Sequence, residues 1–334
     1  MDQDSIQHLK EIKDIDNFIE FITPFYPNFS VQEMTIEEIE GALFNSYINL
    51  VGQVIVYSPE TMRSFLKKYL LKFEIRNIKQ AIIDTILGTP LKEKRRNINQ
   101  KVEELLDHKE FMNDLVEIRS LDEIQLFMKN TRYNKAIREG ILYFRNNNEL
   151  FVLEAFLDKL YYSSLLDLDL NLDRKEKELI NPYINLIIEI YNLITIHRGI
   201  TNNIEKELLK QFIVDHYLFL DGEILQTLLN KKSKEQFFST LKPILTDDDS
   251  ELKSLINIQE MKEKSFEDFI KNLYYSYYFN KFKRINIDDI ERLTIFRIMR
   301  VILKKEREIR TYILPKVVKI LHQNYYSLKE QLNK

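Results

Sequence analysis

The chain has 334 residues, a net charge of −3 and no cysteine. Disulfides and thiolate metal sites are therefore excluded, and the near-neutral balance gives no polycation for nucleic acid. Only 6 glycines and 7 prolines punctuate the chain, so turns are scarce, and the long apolar periodicity predicts an all-α protein.

The opening Met1-Asp2-Gln3-Asp4 is acidic and no apolar core follows, which predicts no signal peptide and a cytosolic chain. Asp14-Ile15-Asp16-Asn17 and Thr35-x-x-Glu38 read as helix starts. Gly41 to Ser58 runs 18 residues without a charge, close to bilayer-crossing length. It contains Asn45, Ser46, Asn49, Gly52, Gln53 and Ser58, which predicts a helix buried in protein instead. Ser58-Pro59-Glu60 starts the next helix, with Pro at the first helical position. In that helix Glu74 and Asn77 share one face with Ala81, Asp84 and Gly88, while Ile75, Ile78, Ile82 and Ile86 form an apolar one. Gly88-Thr89-Pro90 and the basic Lys92 to Arg96 read as a solvated loop. Ser120-Leu121-Asp122-Glu123 and Ser233-Lys234-Glu235-Gln236, 113 residues apart, both fit a capping box. Asn146 to Asn148, Pro243 and the acidic run Thr246 to Ser250 read as polar junctions.

The pattern Glu154 to Ser163 (EAFLDKLYYS) returns 113 residues later as Glu267 to Ser276 (EDFIKNLYYS), and a fainter copy lies at Glu40 to Tyr47. The tyrosine pairs fall on a packing face and are expected to be core, with their hydroxyls partnered. The Glu74/Asn77 element also returns, as Glu189/Asn192 and, in a more charged version, as Glu308/Thr311 with Arg310. Three units follow, over residues 1–118, 119–231 and 232–334.

Catalytic motifs are absent. The Gly88-Thr89-Pro90-Leu91-Lys92 stretch lacks the second glycine and the Lys-Ser/Thr pair of a phosphate loop. Asp215-His216 has no nucleophile beside it, and the acidic run lacks the spaced ligands of a calcium loop. No cofactor, metal site or catalytic residue is expected. A closed three-unit scaffold, an open helical-repeat scaffold that binds a protein partner, and a helical enzyme with an unrecognised site remain open on residues alone.

Lys68 to Lys79, with Phe73-Glu74-Ile75-Arg76-Asn77-Ile78-Lys79 at its end, resembles the first signature of the C subunits of archaeal/vacuolar-type (A/V-type) ATPases, whose eukaryotic V-ATPase counterpart is the d subunit. Glu189 to Arg198 resembles its second copy and Lys304 to Arg310 its third; Ser120 to Tyr133 resembles its recurring helix leading to Thr-x-Tyr. Thr311 stands where the family has Asn, and Pro315 is expected to kink or end the third helix. The resemblance implies a funnel of three similar helical units around a pseudo-threefold axis. It implies a non-catalytic protein, one copy per complex, peripheral on the cytoplasmic membrane face, coupling the rotor shaft to the membrane proteolipid ring. On that reading Glu74, Asn77, Glu189, Asn192, Glu308 and Arg310 line a socket for the shaft, brace neighbouring units, or serve local capping and salt bridges.

Overall fold

The computed structural model describes residues 1–167, 174–247, 250–256, 265–283 and 290–332. Among the described residues every regular element is helical. In chain order these are α1 (Gln3–Glu11), α2 (Ile15–Ile22), α3 (Ile36–Tyr57), α4 (Glu60–Leu87), α5 (Leu91–Asn97), α6 (Gln100–Leu106), α7 (Lys109–Glu117), α8 (Leu121–Phe127), α9 (Asn134–Asn147), α10 (Phe151–Leu166) and α11 (Arg174–Thr201). They continue as α12 (Lys206–Lys210), α13 (Gly222–Leu229), α14 (Lys234–Leu245), α15 (Phe266–Lys283), α16 (Ile290–Glu308) and α17 (Leu314–Leu332).

Local chemistry sets where these helices begin. Asp14 caps α2, Thr35 caps α3, Ser120 caps α8 and Ser233 caps α14, each side chain accepting a bond from the backbone N–H three residues on. The reciprocal half of the box is present too: Glu123 accepts from the Arg119 N–H and Gln236 from the Lys232 N–H. Each box satisfies two donors that a bare helix end leaves orphaned. Gly88 ends α4 at φ +67°, a conformation that costs a Cβ-bearing residue about 1 kcal/mol.

Two compact units divide the chain. The first comprises residues 1–67, 99–108 and 294–334, so its core mixes the first and last segments of the sequence. There α17 packs on α2 and α3, and α6 packs on α3, where the Leu105 side chain lies against Gly52. Phe18, Ile22, Tyr26, Tyr47, Val51, Val102, Ile313 and Val317 fill that core. The second unit holds residues 68–98 and 109–293. Its α9–α10 hairpin is tightly apposed: a Cβ on Gly140 would lie 2.8 Å from the Leu153 Cα. Its α11 packs against α10, α14 and α15.

The uncharged stretch Gly41 to Ser58 lies in α3, which buries Leu43, Phe44, Tyr47, Ile48, Val51 and Ile55. Among the described residues the helix long and apolar enough to cross a membrane is instead Lys177–Thr201, and 78% of its apolar window is buried. Burial against protein already accounts for that apolarity.

Three local expectations are corrected. Residues 91–97 are helical, not a solvated loop, and Lys94 is buried, donating to Thr85 Oγ1 at 2.8 Å and to the Ile118 carbonyl at 2.9 Å. Pro243 lies inside the last turns of α14 and not at a junction. Pro315 does not end the third long helix. A π-helical turn, Ile309–Ile313, precedes it, with the Leu314 N–H bonded to the Ile309 carbonyl, and helix resumes through α17. Proline lacks an N–H and its ring crowds the carbonyl four residues back, and the wider turn relieves both conflicts. Of the acidic run, Asp248 and Asp249 lie outside the described residues.

Candidate functional site

The acidic members of the repeated motif are all withdrawn from water: Glu74 is 1% exposed, Glu189 0% and Glu308 2%. Asn77 and Asn192 are buried with them, whereas Arg310 is exposed. A buried carboxylate is costly unless each oxygen finds donors. The partners of these three acids therefore carry the argument.

Glu189 sits on α11 and accepts four donors. The backbone N–H groups of Leu218, Phe219 and Leu220 reach Oε2 at 2.7, 2.9 and 3.0 Å. The Tyr274 hydroxyl, on α15, donates to Oε1 at 2.7 Å. One turn along the same helix face, Asn192 clasps Val214 at both ends, donating to its carbonyl at 2.8 Å and accepting from its N–H at 3.0 Å. The i, i+3 spacing thus has a physical meaning: both side chains hold one loop, residues 214–220, against α11. Burial pushes the Glu189 carboxyl up from its ordinary value, and the donors pull against it. The Tyr274 phenol is pushed well up, first by burial and then by the Glu189 charge.

Glu74, on α4, pairs with Arg132 at 2.6 Å, and Arg132 also donates to the Tyr133 hydroxyl. Arg132 is 44% exposed, so water screens this pair from one side. Burial raises the Tyr133 phenol, with Glu74 adding to the effect.

Glu308 closes α16. Its Oε1 lies 2.7 Å from the Met1 amino nitrogen, and Lys305 approaches Oε2 at 3.3 Å. The Lys305 ammonium also sits 4.3 Å over the Tyr26 ring, whose phenol is raised by burial and then by the Glu308 charge. Arg310 bonds Glu306 at 3.2 Å and lies over the Phe44 ring at 5.0 Å.

Each acid therefore has at least one partner outside its own repeated stretch, although three of the four Glu189 donors, and Lys305 beside Glu308, lie within it. Arg132 and Tyr133 lie in the second copy, Tyr274 in the third, and Met1 and Tyr26 in the first. Sequence reasoning names the acids but not these partners. Tyr274 belongs to the repeated EDFIKNLYYS pattern and Tyr133 ends the Thr-x-Tyr stretch, so a search for donors to buried acids among repeated tyrosines finds both. Tyr26 carries no such signal. Asp215-His216 forms no catalytic pair: His216 Nε2 lies 2.6 Å from Asn185 Oδ1, and Asp215 accepts from the Tyr217 hydroxyl.

A helical chain whose repeated motif acids Glu74, Glu189 and Glu308 are buried matches a known family model, the ATP synthase (C/AC39) subunit, over residues 1–313. The chain belongs to that family. It is 24% identical over 305 residues to the C subunit of the A-type ATP synthase of Pyrococcus horikoshii, covering 90% of this chain and 78% of that protein. The corresponding protein of Thermococcus kodakarensis is 24% identical over 307 residues, with the same two coverages of 90% and 78%. That of Methanocaldococcus jannaschii is 26% identical over 179 residues, 52% of this chain and 43% of that protein. Members of this family are parts of rotary ATPases.

Proposed function

We propose that this chain is the non-catalytic central-stalk subunit of a rotary A/V-type ATPase, coupling the rotor shaft to the membrane proteolipid ring. In this reading residues 1–118, 119–231 and 232–334 are three similar units closed as a funnel around a pseudo-threefold axis. One copy sits on the cytoplasmic face of the membrane. ATP chemistry belongs to other subunits.

The observation that carries the reading is the direction of the acid contacts. Glu74 of the first copy meets Arg132 of the second, Glu189 of the second meets Tyr274 of the third, and Glu308 of the third meets the first. A cyclic order of contacts supports closure, because an open solenoid leaves its first and last repeats apart. The shared core of residues 1–67 and 294–334 supports the same conclusion. A body that transmits torque must resist shear, and buried inter-copy joints supply that resistance. The acids therefore act as braces between successive repeated stretches of sequence, and the shaft is received elsewhere on the surface.

The test is a tagged pull-down from gently detergent-solubilised native membranes, with partners identified by mass spectrometry. Recovery of a small hydrophobic ring protein and a long coiled-coil shaft is the expected result. Recovery of the chain alone, or with unrelated soluble proteins, contradicts the reading.

A further inference from the structure

The outer face of α8 and α9, in the second unit, is used by none of the contacts described above. Along α9 the residues Lys135, Arg138, Leu142 and Arg145 are all exposed. Their spacing of three, four and three places them on one stripe, while Ala136, Ile137, Gly140 and Ile141 are buried on the opposite side. The short connection after α8 returns α9 antiparallel to it, and Arg145 bonds Asp122 across the two at 2.7 Å. One turn beyond Asp122 stands Leu126, and one turn before Arg145 stands Leu142. Each leucine thus stands one turn from that ion pair, on two helices that pack against each other.

Leu126 is 71% exposed and Leu142 54%. Side chains so open to water protrude and do not line a recess. Around them stand Lys129, Lys135, Arg138 and Arg145 against Asp122, Glu123 and Glu139. Arg145 and Arg138 are offset by Asp122 and Glu139, in surface pairs that water keeps weak. Lys129 and Lys135, both exposed, have no carboxylate within ion-pairing distance among the described residues. The surplus is local, since the whole chain is slightly acidic.

We infer that this face docks on an anionic lipid surface, with Leu126 and Leu142 entering the headgroup boundary and Lys129, Lys135, Arg138 and Arg145 meeting lipid phosphates. Protruding leucines ringed by long cationic side chains suit a deformable anionic interface, where apolar burial and charge attraction add. A protein partner that inserts a helix needs a groove to receive it, and these protruding leucines offer none. The inference rests on the family's place in a membrane ATP synthase, but not on the rotor-coupling reading.

The test uses the full chain and protein-free vesicles. Co-sedimentation is measured with vesicles of roughly equal parts phosphatidylglycerol and phosphatidylcholine, and with phosphatidylcholine alone. Partitioning onto the anionic vesicles is expected to be at least about tenfold stronger and to be lost at about 0.5 M salt, where screening is short-ranged. L126E/L142E and, separately, K129E/K135E are each expected to weaken it about tenfold or more, with helical content and melting temperature unchanged. Absent binding to anionic vesicles at low salt, or binding indifferent to both variants, overturns the inference. So does a result in which the variants ignore lipid as the wild type does but no longer co-purify with the rest of the ATPase, which would make the face a protein contact. Each of these failures leaves the pull-down test of rotor coupling untouched.

Discussion

The Tyr274 hydroxyl donates to Glu189 across 2.7 Å and 85 residues of sequence, tying α15 to α11 through a carboxylate with no exposure to water. Three backbone N–H groups share the same acceptor, so the two possible truncations differ in consequence. Tyr274→Phe removes one of four donors and is expected to cost about 1–2 kcal/mol. Glu189→Ala also orphans three backbone N–H groups, those of Leu218 and Phe219 half-buried and that of Leu220 buried, and is expected to cost about 3–5 kcal/mol. Urea denaturation at neutral pH measures both, and equal losses would mean that the loop bonds contribute nothing.

Glu308→Ala is expected to act in the first unit and not the second. It leaves Lys305 without its acid partner and frees the contact with Met1. The expected cost is about 2–4 kcal/mol. Hydrogen exchange should accelerate in α1 and α2 while α9 and α10 keep their protection. Uniform acceleration throughout would contradict a local brace.

Two glycines in helices are expected to respond in opposite directions. A Cβ at Gly140 would meet the Leu153 backbone, so Gly140→Ala should separate α9 from α10 and cost about 1–3 kcal/mol or more. Nothing lies within 4 Å of a Cβ at Gly41, so Gly41→Ala should stabilise α3 by about 0.5–1 kcal/mol. Thermal unfolding of the two variants checks the pair.

Alkaline pH is expected to unfold the chain from the inside. Burial raises the phenols of Tyr26, Tyr133, Tyr191, Tyr274 and Tyr278 above the ordinary value near 10. Below that pH both states keep the proton and these groups add no pH dependence. Above it the unfolded chain releases protons that the folded chain retains, so stability falls as pH rises. Tyr217, half-exposed on its loop and bonded to Asp215, is raised to about 12. Absorbance at 295 nm should therefore show exposed tyrosines titrating smoothly, and the buried set ionising together with the loss of far-ultraviolet dichroism. Smooth titration of all 18 tyrosines in a folded chain would contradict this.

Much of the architecture is legible in the sequence because it rests on local chemistry. Ser120 and Ser233 announce their helices by hydroxyl and spacing, and both caps form. The repeated Glu-x-x-Asn singles out two acids, Glu74 and Glu189, that the structure buries together with their asparagines, because helical spacing fixes which side chains share a face. Their environment is not legible. Spacing puts Glu74, Asn77 and Asp84 on one face without saying what covers it, and all three are buried, with donors from outside the helix: for Glu74 the guanidinium of Arg132, for Asp84 the Asn97 amide. Lys94 misleads for the same reason: a basic run looks like surface until a carbonyl such as that of Ile118 is brought to it. Pro315 forbids a regular α-helical bond, but propensity alone does not say whether the chain stops or widens into a π turn.

The central claim, that this chain couples rotation to ion movement without chemistry of its own, is tested most directly by depletion and add-back. Rotary complexes reconstituted in vesicles without the chain should still hydrolyse ATP but transport no ions, and adding the purified chain should restore transport. Undiminished transport in its absence, or hydrolysis that the purified chain sustains by itself, would contradict the account.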